Sequence, residues 1–175
     1  MLRYRLINFE NDDDLDLLVK WYCDRKIRHL SFRHRNSESY DNIIDRNSVR
    51  EKLLKKPQSR YRMYLITWEG IPIGEMSIEL ASTAIKFHRK RSCWIGIIIG
   101  ESHARGKGLG GRILKKLEQV ARDMGASRIE LGVFEFNLRA LQLYRNAGYQ
   151  VCLFEKNSTW WKGKMHGSLR MEKNL

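Results

Sequence analysis

A glycine-rich loop with two cations is the segment of this sequence whose residue types most clearly imply chemistry. Residues 100–111 read Gly-Glu-Ser-His-Ala-Arg-Gly-Lys-Gly-Leu-Gly-Gly. An apolar strand is predicted just before it, over 95–99, and an amphipathic helix just after it, over 112–124. The backbone N–H groups of a glycine loop and the positive end of a helix dipole both attract anions. The spacing therefore predicts a binding site for a phosphorylated ligand.

Three classes of ligand use such a loop, and spacing separates them. A nucleotide-binding P-loop has four residues between its first glycine and Gly-Lys, and then Ser or Thr. Here five residues separate Gly100 from Gly106, and Gly108 follows the lysine, which excludes a P-loop. Residues 106–111 match the dinucleotide fingerprint G-x-G-x-x-G, with Glu130 as a ribose ligand, but that fingerprint begins where its strand ends. The dinucleotide class stays open as an alternative.

Motifs in and after the loop indicate the third class. Residues 105–110, Arg-x-x-Gly-x-Gly, resemble the (Gln/Arg)-x-x-Gly-x-(Gly/Ala) motif of the GNAT acyl-CoA N-acyltransferases, whose loop holds the coenzyme A pyrophosphate. A strand predicted over 128–134 follows at the distance typical of that family. Residues 137–149 then resemble its second motif, Asn-x-x-Ala…Tyr…Gly-(Phe/Tyr). The resemblance extends over about residues 60–155.

The resemblance implies a fold and a division of the chain. We expect an α/β GNAT fold, with a mixed central sheet of about six to seven strands flanked by about four helices. Residues 1–175 then form one domain, with acceptor-side helices in 1–58, an acyl-CoA-binding core in 60–155 and a C-terminal hairpin in 156–175. The implied activity is transfer of acetyl from the cosubstrate acetyl-CoA to a primary amine, by direct attack in a ternary complex.

Sequence patterns predict the elements outside the loop. A strand is predicted over 4–9, followed by a helix to residue 22 that the run of aspartates at 12–14 caps. A second helix is predicted over 40–55, ending before Pro57. Further strands are predicted over 60–68 and 73–80, which form a hairpin. Another strand is predicted from after residue 149 to about residue 155, and a last one over 165–171.

The resemblance also assigns residues to coenzyme A. Backbone groups of Ile98 and Ile99 are expected to pair with the pantetheine arm where their strand splays from the next one, one N–H polarising the thioester carbonyl. Asn137 is expected to cap its helix and to contact the pantetheine. The pyrophosphate is assigned to the loop residues Arg105, Gly106, Lys107, Gly108, Leu109 and Gly110.

Acyl transfer to an amine needs a neutral amine, a polarised thioester and a proton for the departing thiolate. By resemblance, Tyr144 is the acid that protonates the coenzyme sulfur. The alternative role for Tyr144 is an aromatic side chain on the core face of an amphipathic helix.

The general base is less clearly marked. Many members of the family place a glutamate in the register that Trp94 occupies here, on the strand before the loop. Glu75, Ser77 and Glu79 share one face of the preceding strand, and Glu79 is the predicted substitute. A base acting through ordered water, a base from the loop (Glu101 or His103), and an amine that arrives neutral stay open.

The first half of the chain resembles a subset of the family. Residues 21–28, Trp-x-x-Asp-x-x-Ile-Arg, are similar to an element of the ribosomal-protein N-terminal acetyltransferases and of related aminoglycoside and amino-sugar enzymes. Residues 162–167 are similar to their last hairpin, with Gly167 where those relatives often have Asp. The resemblance implies a small-molecule amine or a protein N-terminal amine as acceptor.

Bulk properties bound the remaining possibilities. A net charge of +13 suits an anionic partner, so a non-catalytic acyl-CoA-binding module and an RNA- or ribosome-associated module stay as alternatives. Three widely spaced cysteines and five histidines without paired spacing predict neither a disulfide framework nor a metal site. With no signal peptide or membrane span recognisable, we expect a cytoplasmic monomer or homodimer.

Overall fold

The chain folds around one seven-stranded mixed sheet, in a computed structural model that describes residues 1–42, 44–87 and 91–175. Within these residues, no helix is long and apolar enough to cross a membrane. The elements in chain order are β1 (Leu2–Leu6), α1 (Asp12–Cys23), α2 (Arg28–Ser31), α3 (Ser37–Asp41), α4 (Arg46–Leu54), β2 (Tyr61–Trp68), β3 (Ile71–Leu80), β4 (Ser92–Ile99), α5 (Leu109–Asp123), β5 (Arg128–Phe134), α6 (Leu138–Asn146), β6 (Gln150–Trp161) and β7 (Lys164–Asn174).

The strand order is β1-β2-β3-β4-β5-β7-β6. The first four strands pair antiparallel with their neighbours, and β5, β7 and β6 form a second antiparallel group. The two groups meet at the parallel pair β4–β5, with α5 as the crossover. The predicted α/β class and strand number are confirmed, whereas the described residues form six α-helices instead of about four.

Helices bury apolar faces on both sides of the sheet. On one side α5 contributes Ile113, Leu114 and Leu117 to a core shared with β3, β4 and β5. On the other side α1 contributes Leu15, Leu18 and Trp21 to a second core, which α4 and β2 complete. This second layer places α1 and α4 above the face of β3 that carries the glutamates at 75 and 79.

The predicted helix over 40–55 is wrong, because the segment contains two helix starts. Asn36 and Asp45 each accept a hydrogen bond from the backbone of a serine three residues later, and each serine hydroxyl accepts one from the backbone of its cap. These two capping boxes begin α3 and α4 separately. Ile43 lies in this segment but outside the described residues.

Further element boundaries differ from those predicted, among them that of β1, which spans Leu2–Leu6 instead of 4–9. The side chain that caps α1 is Asn11, which accepts from the Asp14 N–H, while the three aspartates occupy the first turn. Helix α5 begins at Leu109 because Gly108 is its N-cap, three residues before the predicted start. Strand β6 continues to Trp161, past bulges between Val151 and Leu153 and between Glu155 and Thr159.

A partly buried carboxylate ties the β6–β7 hairpin to the helical layer. Glu155 accepts hydrogen bonds from Arg170 at 2.9 Å and from Arg33 at 2.5 Å. Burial alone would raise the pKa of Glu155, but these two guanidinium groups outweigh it and hold the pKa at about 2. The group therefore stabilises the fold as a carboxylate.

Candidate active site

Strands β4 and β5 separate after their third residue pair, and the gap between residues 95–99 and 131–134 is called the fork below. They are paired only at Ser92–Arg128, Cys93–Ile129 and Trp94–Glu130. Beyond Trp94, β4 continues on β3, and β5 continues on β7 to Phe134. The facing edges of residues 95–99 and 131–134 therefore leave backbone groups unpaired across the fork, where an extended ligand can add its own polar groups.

The hydrogen-bond pattern decides which residues face the fork. Ala81 donates its N–H to the Ser92 carbonyl at 3.0 Å, and bonded pairs then recur at every second residue of this antiparallel ladder. By this alternation Ile98 is bonded to β3, while Ile97 and Ile99 turn their N–H and C=O groups to the fork. Of the two predicted backbone contacts, Ile99 fits this geometry and Ile98 does not.

The glycine loop forms an uncapped helix N-terminus at the open end of the fork. Gly106 and Gly108 have φ angles of +77° and +72°, a conformation that favours glycine, and a Cβ at either would meet no atom within 4 Å. No side chain caps α5, and its first turn contains no acidic residue. The N–H groups of the first turn are therefore free to bind an anion from outside.

A cavity of about 520 Å³ lies along this loop. Five of the six predicted loop residues line it, and four of these five supply mainly backbone, namely Gly106, Gly108, Leu109 and Gly110. Leu109 is also buried in the core, so its side chain anchors the loop from beneath. Lys107 is exposed and does not line the cavity.

The Arg105 side chain is engaged by the protein itself. Its Nε donates to the Ile99 carbonyl at 3.0 Å, and its terminal nitrogen contacts the Gly100 carbonyl and Asp24. Arg105 therefore lines the cavity while holding the end of β4 against the loop. In this arrangement the Nε and one terminal nitrogen of Arg105 fix the loop's position.

The Trp-x-x-Asp element braces the glycine loop from behind. Trp21 is 1% exposed, and its Nε1 donates to Glu101 at 2.9 Å. A Cβ at Gly100 would lie 2.1 Å from Trp21 Cδ1, so the ring packs directly on the loop's first residue. The sequence pattern singled out this element for the acceptor, and its contact with the loop was missed because the partners lie 80 residues apart.

A second cavity, of about 630 Å³, lies on the other side of the same fork. Its walls come from α2, α4, β2, β3 and β4. The two cavities share lining residues at the fork, among them Ile97, Asn137 and Tyr144. A ligand in one cavity can therefore meet a ligand in the other at this junction.

Tyr144 and Asn137 sit at the junction because of α6. Asn137 is the N-cap of this helix, accepting from the Ala140 N–H at 3.2 Å. Tyr144 lies on the buried face, 8% exposed, and burial raises its pKa to about 12. Its hydroxyl thus keeps its proton at neutral pH, which is the state that a proton donor needs.

Two carboxyl groups line the second cavity in different environments. Glu79 is paired with Lys56 Nζ at 2.8 Å and accepts from the Ser82 hydroxyl at 3.0 Å. Glu75 is buried, and its Oε2 has no hydrogen-bond partner among the residues that the structure describes. Trp94, in the register of the family's usual glutamate, forms part of the wall and stacks on the Arg170 guanidinium at 4.7 Å.

The C-terminal hairpin adds an aromatic group beside the helical layer. The Trp161 ring stacks on His29 with centroids 4.6 Å apart and lies 4.4 Å from Phe136. Gly167 donates its N–H to Glu135 at 2.9 Å, and a Cβ there would lie 2.3 Å from the Phe154 ring. An aspartate could not replace this glycine without moving Phe154.

The described residues contain no group of three or more His, Cys, Asp or Glu side chains placed to hold a metal ion. The polar groups of the fork are instead backbone amides, a phenol and carboxyl groups. This set of groups is suited to binding an acyl thioester and moving protons.

Comparisons with known proteins agree with this geometry. Thialysine N-epsilon-acetyltransferase of Bos taurus is 38% identical over 60 residues, which are 34% of this chain and 35% of that protein. Spermine/spermidine N(1)-acetyltransferase of Bacillus subtilis is 30% identical over 91 residues, 51% of this chain and 60% of that protein. The chain therefore aligns with only about a third to three fifths of these relatives.

Solved structures show the same fold over nearly the whole chain. Spermidine N-acetyltransferase from Vibrio cholerae, in complex with CoA and spermine, has a TM-score of 0.80 at 18% identity, covering 99% of this chain and 95% of that one. Ribosomal-protein-alanine N-acetyltransferase from Brucella melitensis has a TM-score of 0.78 at 22% identity, covering 99% of each chain. The sequence model of the Acetyltransferase (GNAT) family matches residues 17–149. The chain belongs to the GNAT acetyltransferase family.

Proposed function

We propose that this protein transfers the acetyl group of acetyl-CoA to a primary amine, by direct attack in a ternary complex. The observation that carries the proposal is the junction of two cavities at Tyr144, one along the glycine loop and the other beneath α4. A thioester entering from the loop side and an amine entering from the other side meet there without a covalent enzyme intermediate.

The loop side fits the coenzyme. The pyrophosphate binds the free N–H groups at the start of α5, and the pantetheine arm lies along the fork beside Ile97 and Ile99. An N–H of β4 in the fork then stabilises the negative charge that develops on the thioester oxygen. Relatives solved with CoA bound support this cosubstrate.

The acceptor side favours a small amine with an apolar or aromatic portion. Tyr22, Phe32, Tyr61 and Met63 line the cavity, and its charged residues include both lysines and glutamates. The names of relatives point to amines as different as spermine, thialysine and the N-terminal alanine of a ribosomal protein. We therefore propose a primary amine as the acceptor class, with these three as the first probes.

Tyr144 is the proposed acid that protonates the departing sulfur. Tyr144→Phe removes only the hydroxyl, so acetyl-CoA should still bind while kcat falls by about 10²- to 10⁴-fold. The assay is release of free thiol from acetyl-CoA in the presence of spermine, thialysine or an N-terminal alanine peptide.

Tyr149→Phe is the matched control, because that ring is also buried, lies 5.7 Å from the Tyr144 ring and lines neither cavity. Its kcat should stay close to that of the wild type. An unchanged kcat in Tyr144→Phe would contradict the acid role, and absence of thiol release by the wild type with all three amines would contradict the proposed function.

A further inference from the structure

Glu75 is a buried carboxyl group whose placement no structural requirement explains. It is 3% exposed, in the middle of β3, and its side chain lines the acceptor-side cavity. Its Oε2 finds no hydrogen-bond partner among the described residues. A buried carboxyl group without such a partner costs stability, so its presence calls for a role in ligand binding or chemistry.

The groups around Glu75 leave its charge uncompensated. Tyr22 from α1 and Tyr61 from β2 face it, and Ile98 is its partner on β4. Lys52, which is exposed, and Lys56 line the same cavity. Lys56 is paired with Glu79, and among the described residues no ion pair joins either lysine to Glu75. Burial accordingly raises the pKa of Glu75 to about 8.

We propose that Glu75 accepts the proton of the acceptor's ammonium group and so generates the amine that attacks acetyl-CoA. The inference rests on the proposed function and replaces Glu79 as the base. Tyr144 lines the same cavity as Glu75. Glu75 can therefore remove a proton from the amine nitrogen while Tyr144 gives one to the thioester sulfur.

The proton and electron balance of this step closes without another reactant. The Glu75 carboxylate takes one proton from R–NH₃⁺, and the nitrogen lone pair then forms the C–N bond at the thioester carbonyl. The C–S bond breaks with its electron pair on sulfur, and the Tyr144 hydroxyl protonates that sulfur. The phenolate regains a proton from the amide nitrogen, which leaves R–NH–CO–CH₃, the coenzyme thiol and a protonated Glu75.

The environment of Glu75 suits this role better than that of Glu79. A base works best when its pKa lies near the working pH, because it is then partly unprotonated and still basic enough to take a proton. Glu79 Oε2 already accepts hydrogen bonds from both Lys56 and the Ser82 hydroxyl, so an ammonium group there would have to compete with a lysine that is in place. Glu75 has an oxygen free for the ammonium group.

The test compares Glu75→Gln with the matched control Glu79→Gln, on the same face of the same strand. Calorimetric titration with acetyl-CoA checks that each variant keeps its cosubstrate site, and circular dichroism checks the fold. Thiol release is then followed from pH 6 to pH 10 with whichever of spermine, thialysine and an N-terminal alanine peptide the wild type uses fastest. We expect Glu75→Gln to bind acetyl-CoA normally and to lose about 10²- to 10⁴-fold in kcat.

The pH profile separates a base from a merely structural residue. For the wild type, kcat/KM should rise as the pH increases through about 8, because only the carboxylate form of Glu75 accepts a proton. This rise should persist in Glu79→Gln and vanish in Glu75→Gln. An active Glu75→Gln with the wild-type profile would overturn the inference and leave the proposed function intact. A wild type that binds no acetyl-CoA, or that acetylates no amine, would overturn both.

Discussion

Burial of Glu75 should make the stability of the free protein fall as the pH rises. The pKa of this carboxyl group is about 8 in the folded protein, against 4.5 for an ordinary glutamate. Between these two values the folded state holds a proton that the unfolded state has released. The stability that this proton contributes is complete below pH 4.5 and is lost as the pH rises through about 8.

The size of the effect follows from the difference between the two pKa values. The free energy of unfolding should decrease by about 1.4 kcal/mol per pH unit inside this window, and by about 5 kcal/mol in all. Glu75→Gln cannot ionise and should lack this dependence. The stabilisation of the variant relative to the wild type should therefore grow with pH and level off above pH 8.

Urea unfolding of both proteins at pH 5, 6, 7, 8 and 9 measures this difference directly. Other groups titrate in both proteins, so their contributions cancel in the comparison. Glu155, whose pKa is held at about 2, changes charge below the window in any case. A difference in stability that stays constant from pH 5 to pH 9 would refute the account, since it would mean that Glu75 ionises like an exposed glutamate.

Two further substitutions test how the site is supported. Gly100→Ala places a Cβ 2.1 Å from the buried Trp21 ring, so we expect a loss of about 1–3 kcal/mol in urea unfolding and weaker acetyl-CoA binding. In the control Gly111→Ala the new Cβ meets only Leu143, at 3.8 Å, so this variant should be neutral or more stable by up to about 1 kcal/mol. Equal losses of stability in the two variants would contradict the packing argument. Glu155→Gln should lower the free energy of unfolding by about 3 kcal/mol at pH 7. This difference from the wild type should shrink as the pH falls from 4.5 toward 2, because the wild-type carboxylate becomes protonated. A difference that does not change with pH would count against the arginine pairing.

Features encoded by neighbouring residues could be predicted from the sequence. The bounds of β5 are those predicted, because Ile129, Leu131 and Val133 alternate with other residues between turn signals, which is a local strand pattern. The glycine loop and the helix after it were recognised because positive φ angles and an uncapped N-terminus leave a pattern within a dozen residues. The family resemblance rests on this same local pattern.

Features that depend on distant packing could not be predicted in this way. The alternation of a strand shows that Glu75 and Glu79 share a face, but not that Tyr22 and Tyr61 bury one while Lys56 pairs with the other. The two capping boxes at Asn36 and Asp45 are a local signal that the predicted single helix over 40–55 leaves out.

The role of Arg105 illustrates the same limit. Its place in the motif predicts contact with phosphate, and the structure adds contacts of its side chain with the end of β4 and with Asp24 that the motif does not show. No spacing rule contains Asp24, which lies 81 residues away in the chain.

Calorimetric titration with acetyl-CoA is the most direct test of the central claim that the glycine loop and the fork bind this cosubstrate. The wild type should bind, and Gly108→Asp should not, because a side chain and a negative charge would stand in the proposed pyrophosphate site. Gly70→Asp is the matched control: it has a similar φ angle of +85° and open surroundings, but lies in the β2–β3 turn away from both cavities. Binding by the wild type and by Gly70→Asp alone would support the account. Failure of the wild type to bind acetyl-CoA while it binds a nicotinamide dinucleotide would contradict it.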